Sequence, residues 1–295
     1  MIGGRKVNTM ISGGNATIYV ADIEAAIRFY TEALGLTLTN RIGRQWATLE
    51  VRPSYWTTDE VGGGLIIGLL PASPNHPAPG TIGAVGFGFE TYQPIENVMA
   101  SLIERKVRFT GEVIRFEAGN SVTFEDPDGN STYLHEFPPE MVPQTDAATD
   151  EDSNEGTTGG PLSGGHAIVY VSDMDAAIGF YSGALGLKLT NRFGDKFATV
   201  EAGQLVVALH PQTARSPIPG TRGAISLGFV ISEPIEAALA SLAKRGVRVA
   251  SGVIRSELGS IAEIEDQDGN SIYLREGDAE LLVPAGLALK GFAAK

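Results

Sequence analysis

Histidine is the side chain best placed to move a proton near neutral pH, and this chain has four. Two of them, His166 and His210, lie in the β-rich stretches GGHAIVYV and LVVALH of the second half. Strand side chains alternate between two faces, so His166 shares a face with Ile168 and Tyr170, and Tyr273 shares one with Arg275. A His beside an Arg could bind an anion, and a His alone could act as a general base. His166 and His210 are therefore the candidate catalytic residues. A pocket-lining histidine hydrogen-bonded to a neighbour would account for either one equally well. Other chemistries find no support. Cysteine is absent, which excludes disulfides, thiolate metal sites and a Cys nucleophile. There is no Walker loop, no dinucleotide-binding glycine fingerprint and no G-x-S-x-G.

Composition narrows the partners. The chain has 295 residues and a formal net charge of −13. Nucleic-acid binding needs Lys and Arg to neutralise phosphates, so no nucleic-acid partner is expected. No apolar run approaches the roughly 20 residues of a membrane span, and the first residues, MIGGRKVNTMISGGN, have no apolar signal core. The expectation is a cytoplasmic protein, monomer or homodimer, whose partner is a small molecule.

The elements that position these residues come in duplicate. Residues 15–50 align without gaps to 166–201 with 21 identical pairs of 36. Both repeats read V-x-D-x-x-A-A-I-x-F-Y-x-x-A-L-G-L-x-L-T-N-R-x-G, and both end in D-x-D-G-N-S-x-Y-L-x-E at 126–136 and 266–276. The expected organisation is an extension over 1–14, a domain over 15–137, an acidic linker over 138–163, a second domain over 164–277 and a tail over 278–295. The linker carries six Asp or Glu and no Lys or Arg, and it has too few large apolar groups to pack.

Each repeat restarts once more inside itself. Asn15–Val20 reads as a strand, then Asp22 caps a helix with apolar positions at helical spacing, ended by Gly35. Strands follow near 36–42, 45–51 and 64–70. Then come a strand over 84–89, a helix over 94–105, and strands near 110–117, 120–125 and 131–136. The turn Asp126-Pro127-Asp128-Gly129-Asn130 precedes the last strand. The fold class is thus α+β, with four βαβββ modules in the chain.

That order, with the F-Y-x-x-A-L-G-L helix end and the D-P-D-G-N turn, resembles the vicinal-oxygen-chelate superfamily of glyoxalase, bleomycin-resistance and dioxygenase proteins. The resemblance spans nearly all of 15–136 and 166–276. It implies that pairs of modules curve their sheets into cups for small molecules. It also implies four inward positions that supply metal ligands in the metalloenzymes. Here these hold Asn15 and His166, Gly68 and Ala208, Gly86 and Ser226, and Tyr133 and Tyr273. Only His166 is a usual ligand, and a divalent ion needs three or four. No metal site and no cofactor are expected.

Carried over in the same way, the ligand-binding lining is Asn15, Tyr19, Trp46, Tyr133, His135, Tyr170, Phe197, Ser226, Tyr273 and Arg275, with His166 and His210. Gly68, Gly86, Gly88, Ala208, Ser226 and Gly228 would leave volume, or would merely let the sheet bend. Grouped by repeat, one cup holds Asn15, Leu70 and His135, and the other His166, His210 and Arg275; pairing of modules across repeats stays open. Arg41, Arg192, Arg115 and Arg255 read as strand-end salt bridges, Tyr30 and Tyr181 as core, and Glu136 and Glu276 as surface charges. The functional expectation is a metal-independent protein that binds a small aromatic or apolar molecule, like the drug-binding members of the superfamily. The alternative is a glyoxalase-like lyase, isomerase or dioxygenase working through the second cup, with or without a metal.

Overall fold

The computed structural model describes residues 10–51, 64–138, 161–256 and 259–277. The expected tail over 278–295, most of the expected linker and most of the expected N-terminal extension lie outside them. The described elements run in four successive groups, each opening on a strand followed by a helix. The first comprises β1 (Ile11–Val20), α1 (Ile23–Arg28, continued by a π-helical turn Phe29–Ala33), β2 (Thr37–Ile42), β3 (Trp46–Glu50) and β4 (Ile66–Pro71). The second comprises β5 (Val85–Thr91), α2 (Ile95–Glu104), β6 (Arg108–Phe109), β7 (Ile114–Phe116), β8 (Gly119–Glu125) and β9 (Ser131–Glu136). The third comprises β10 (Gly164–Val171), α3 (Met174–Ile178, continued by a π-helical turn Gly179–Ala184), β11 (Lys188–Arg192), β12 (Ala198–Ala202) and β13 (Leu205–Pro211). The fourth comprises β14 (Ile225–Ile231), α4 (Ile235–Lys244), β15 (Arg248–Val249), β16 (Ile254–Ser256), β17 (Gly259–Glu265) and β18 (Ser271–Glu276).

Two differences from the sequence reading are local. β1 begins at Ile11, and Ile11 pairs with Ile231, so the opening strand starts before the repeat does. The stretch 110–117 is not one strand; β6 and β7 are short pieces that pair separately with β8. No helix among the described residues is long and apolar enough to cross a membrane.

Local chemistry explains the duplicated helices. The Asp22 carboxylate accepts from the backbone N–H of Glu24 at 2.9 Å, and Asp173 accepts from Ala176 at 2.8 Å, which satisfies the first free donors of α1 and α3. The π-helical turns show as i→i+5 bonds from Leu34 N to Phe29 O and from Leu185 N to Phe180 O. Tyr30 and Tyr181 sit in these turns, fully buried. Their hydroxyls donate to Asp126 and Asp266, each at 3.1 Å. The tyrosines are core, as expected, but they also tie the helix to the D-x-D-G-N turn.

The modules combine across the repeats. One nine-stranded sheet has the order β15-β17-β18-β14-β1-β4-β3-β2, with β16 also paired to β17, and so joins the first module to the fourth. The other has the order β11-β12-β13-β10-β5-β9-β8-β6 and joins the third to the second. The joints are antiparallel: Asn15 opposes Gly228 across β1 and β14, and His166 opposes Gly88 across β10 and β5. Helices cover one face of each sheet, over a core that includes Ile18, Val20, Phe87, Phe89, Val169 and Phe229. The other face of each sheet carries the candidate residues.

The expected salt bridges form. Arg41 pairs with Glu24, Arg192 with Asp175, Arg115 with Glu96 and Arg255 with Glu236. Glu136 does more than sit on the surface. Its carboxylate accepts from Ile95 N at 3.0 Å and Asn120 Nδ2 at 2.8 Å, capping the first turn of α2 from the end of β9.

Candidate functional site

Pairing across repeats redistributes the lining, and the grouping by repeat is corrected here. His135 lies on β9 beside Glu90 of β5, in the sheet that also carries His166 and His210. Arg275 lies on β18 beside Val230 of β14, in the sheet of Asn15. One helix-free face thus collects Tyr133, His135, His166, Tyr170, Phe197 and His210. The other collects Asn15, Tyr19, Trp46, Ser226, Tyr273 and Arg275. The reason is topological: the ends of β5 and β14 find their antiparallel partners in the other repeat.

The histidine face is built around β5. Gly86, Gly88 and Glu90 point to it, while Phe87 and Phe89 point to the helices. Glu90 is fully buried. Its Oε1 lies 2.7 Å from Nδ1 of His166. A carboxylate can only accept, so Nδ1–H donates to Glu90, and in the neutral ring Nε2 is the acceptor. That nitrogen receives the hydroxyl of Tyr133 at 2.6 Å. Tyr133 reaches it by lying over Gly88: a Cβ on residue 88 would sit 2.3–2.7 Å from three of its ring atoms. Gly88 is therefore required for the Tyr133 side chain to cross β5 and reach β10.

Sequence reasoning missed Glu90. The signal was available, because Glu90 alternates in step with Gly86 and Gly88, and an acid there is unlike Val230 at the matching place of the other repeat. It stayed hidden because the strand was read as ending at Phe89.

Two further histidines flank this chain. His135 is 9% exposed, and its Nε2 lies 3.2 Å from the carbonyl of Ala118. Burial, with His166 nearby, pushes its pKa down to about 4. His210 lies edge-on to Phe197, with ring centroids 5.0 Å apart, and its Nε2 is buried with no hydrogen-bond partner among the described residues. Burial, then His166 and His135, push it down to about 3. Both rings are therefore neutral at pH 7. Burial also raises the Tyr170 phenol. A Cβ on Gly86 would meet nothing within 4 Å, so that part of the floor is open.

The other face is organised differently. Tyr19 stacks on His76 with ring centroids 4.2 Å apart, and Ser226 and Tyr273 adjoin its phenol. Trp46 lies over Gly68, where a Cβ would be 2.3 Å from its ring. Gly68 and Gly88 thus leave no empty volume; each makes room for an aromatic of its own sheet, and the reading of them as open floor is corrected. Asn15 donates to Thr17 Oγ1 at 2.8 Å, and Gly228 faces Asn15 rather than a tyrosine ring. Burial pulls the Arg275 guanidinium below its usual range.

Residues 14–132 and 164–274 match the Glyoxalase/Bleomycin resistance protein/Dioxygenase superfamily. The chain belongs to this superfamily. Glyoxalase I from Zea mays is similar over 91% of this chain and 92% of its own, with 17% identity and a TM-score of 0.58. A putative dioxygenase from Bacillus subtilis is similar over 91% of this chain and 86% of its own, with 16% identity and a TM-score of 0.55. Identities this low show a shared fold and leave the chemistry to the site. A search of curated proteins finds no match.

The superfamily includes metalloenzymes, and the residues here do not fit a metal ion. The positions that would supply ligands hold His166, Ala208, Gly86 and Tyr133 on one face, and Asn15, Gly68, Ser226 and Tyr273 on the other. No three His, Cys, Asp or Glu among the described residues are grouped to hold an ion. His166, the one usual ligand, has both ring nitrogens engaged.

Proposed function

We propose that this superfamily member binds a small, neutral, flat organic molecule on the histidine face, without a metal ion. The observation that carries the reading is the Tyr133–His166–Glu90 chain. An ion at His166 would have to displace the 2.6 Å bond from Tyr133, and no second usual ligand stands at the family positions to offset that loss. The lining supports a neutral guest. His135 and His210 are uncharged at pH 7, Arg275 is in the other sheet, and Tyr170 and Phe197 supply aromatic surface. Pockets of this kind are mostly apolar, with a few placed polar groups.

Native mass spectrometry of the untagged protein, before and after chelator, tests this. The expected spectrum shows bare protein or an organic adduct, with a melting temperature that chelator leaves unchanged. A bound ion that binds only the native state must stabilise it. A stoichiometric metal adduct whose removal lowers the melting temperature overturns the reading.

The same buried chain favours, as second reading, a lyase or isomerase that moves a proton with side chains alone.

A further inference from the structure

The two faces share a frame, yet among the described residues only one carries a continuous proton path. On the histidine face Glu90, His166 and Tyr133 are joined at 2.7 and 2.6 Å. At the matching places of the other face stand Val230, Asn15 and Tyr273. There Tyr273 turns to Tyr19, and Asn15 turns to Thr17. A buried carboxylate has no packing value that Val230 does not supply, and burying it carries a desolvation cost. Its placement behind His166 fixes the imidazole with Nε2 toward Tyr133. The polar groups that face this chain are His135 from β9, Tyr170 from β10 and His210 from β13. His210 Nε2 is buried and has no partner among the described residues, so it offers a second polar anchor for a guest.

We propose that Tyr133, backed by His166 and Glu90, is a metal-free general base that takes a proton from a neutral ligand bearing a weakly acidic hydroxyl. The proposal rests on the histidine face being the binding site.

The transfer balances. The ligand O–H bond breaks and its proton passes to Tyr133 Oη. The original Tyr133 O–H bond breaks at the same time, and that proton passes to His166 Nε2. The imidazolium so formed is held by the Glu90 carboxylate through Nδ1–H. The ligand is left as an oxyanion that accepts a hydrogen bond from the re-formed Tyr133 hydroxyl. Net charge in the site is unchanged, because one anion and one cation appear together. Tyr133 never becomes a phenolate, which burial beside Tyr170 and Glu90 would disfavour. Tyr133 is the catalytic residue in this scheme, and His166 and Glu90 position and poise it.

The probe is 4-nitrophenol, whose phenolate is coloured and whose own titration lies near neutral pH. It is mixed with excess full-length protein in buffer on the acid side of that titration, and binding is followed separately by calorimetry. The expected result is a phenolate band on binding, with the ionised-to-neutral ratio raised about tenfold, equivalent to one pKa unit. In Tyr133→Phe and Glu90→Gln, each checked for an unchanged melting profile, the ionised-to-neutral ratio of whatever probe calorimetry shows to be bound should fall back to that of the free probe. Should either variant fail to fold, the wild-type spectrum still decides. Binding without a phenolate band overturns the relay and leaves the binding function standing. A band that persists in Tyr133→Phe overturns the role of Tyr133. No binding of the probe overturns the hydroxyl-acid ligand class, and the relay falls with it.

Discussion

Gly83 and Gly223 lie against each other so closely that a Cβ on either would sit 2.3 Å from the backbone nitrogen of the other. The two glycines precede β5 and β14, where the segments 81–84 and 221–224 cross. Thr81 O accepts from Ala224 N at 2.7 Å, and Thr221 O accepts from Ala84 N at 2.8 Å. Backbone on both sides cannot move aside as a flexible side chain can. Gly83→Ala and Gly223→Ala are each expected to destabilise by about 1–3 kcal/mol, the range for forcing extra atoms into a packed site. Urea unfolding of each variant checks this. A midpoint equal to wild type would show that the crossing is looser than it looks.

The joints β1–β14 and β10–β5 tie the two repeats by backbone hydrogen bonds. A chain cut at a protease site inserted within 139–160 should therefore elute together with the uncut chain. Its two fragments should separate only in denaturant. Gel filtration after cleavage checks this. Two independently eluting halves would mean that each repeat closes its own sheet.

The repeats, the helix caps and most strand positions were legible because they rest on local signals. Asp22 and Asp173 cap where Asp should, and Gly35 and Gly186 take the left-handed φ that ends each helix. The pairing of faces was not legible, because Asn15–Gly228 and His166–Gly88 are contacts about 80 or more residues apart along the chain and sequence alternation says nothing about which strand lies alongside. That is why His135 and Arg275 were exchanged between sites. The role of Gly88 was hidden for a similar reason: a glycine that admits Tyr133 and a glycine that leaves a void look alike in sequence.

Arg275 shares its face with Asn15, Tyr19 and Tyr273, so an acidic ligand should choose that face and not the histidine face. A charge-assisted hydrogen bond is roughly twice as strong as a neutral one. Arg275→Ala should weaken benzoate binding by about 1–3 kcal/mol, while His166→Ala leaves it unchanged. Titration calorimetry on both variants checks this. The reverse ranking would place the anion beside the histidines.

His210 makes the stability of the fold depend on pH with a definite sign. Its pKa is about 3 in the folded chain, because burial and the neighbouring His166 and His135 disfavour the charged ring. In the unfolded chain it returns to about 6.5. The unfolded state therefore binds the proton more readily, and stability rises with pH through this window. The contribution is complete above about pH 6.5 and is lost as pH falls toward the folded value. Near pH 5 it amounts to a loss of about 2 kcal/mol. His135, held at about 4 by burial, acts in the same direction. Asp126 and Asp266 act in the opposite direction, since burial raises them. His210→Leu separates these effects, because Leu70 occupies the matching place in the other sheet and adds no titrating group. The variant should lose less stability than wild type between pH 8 and pH 5, by about 2 kcal/mol. Denaturant midpoints at the two pH values, for wild type and variant, check this. Parallel losses in the two proteins would show that His210 is protonated in the folded chain, and that its buried Nε2 has found a partner.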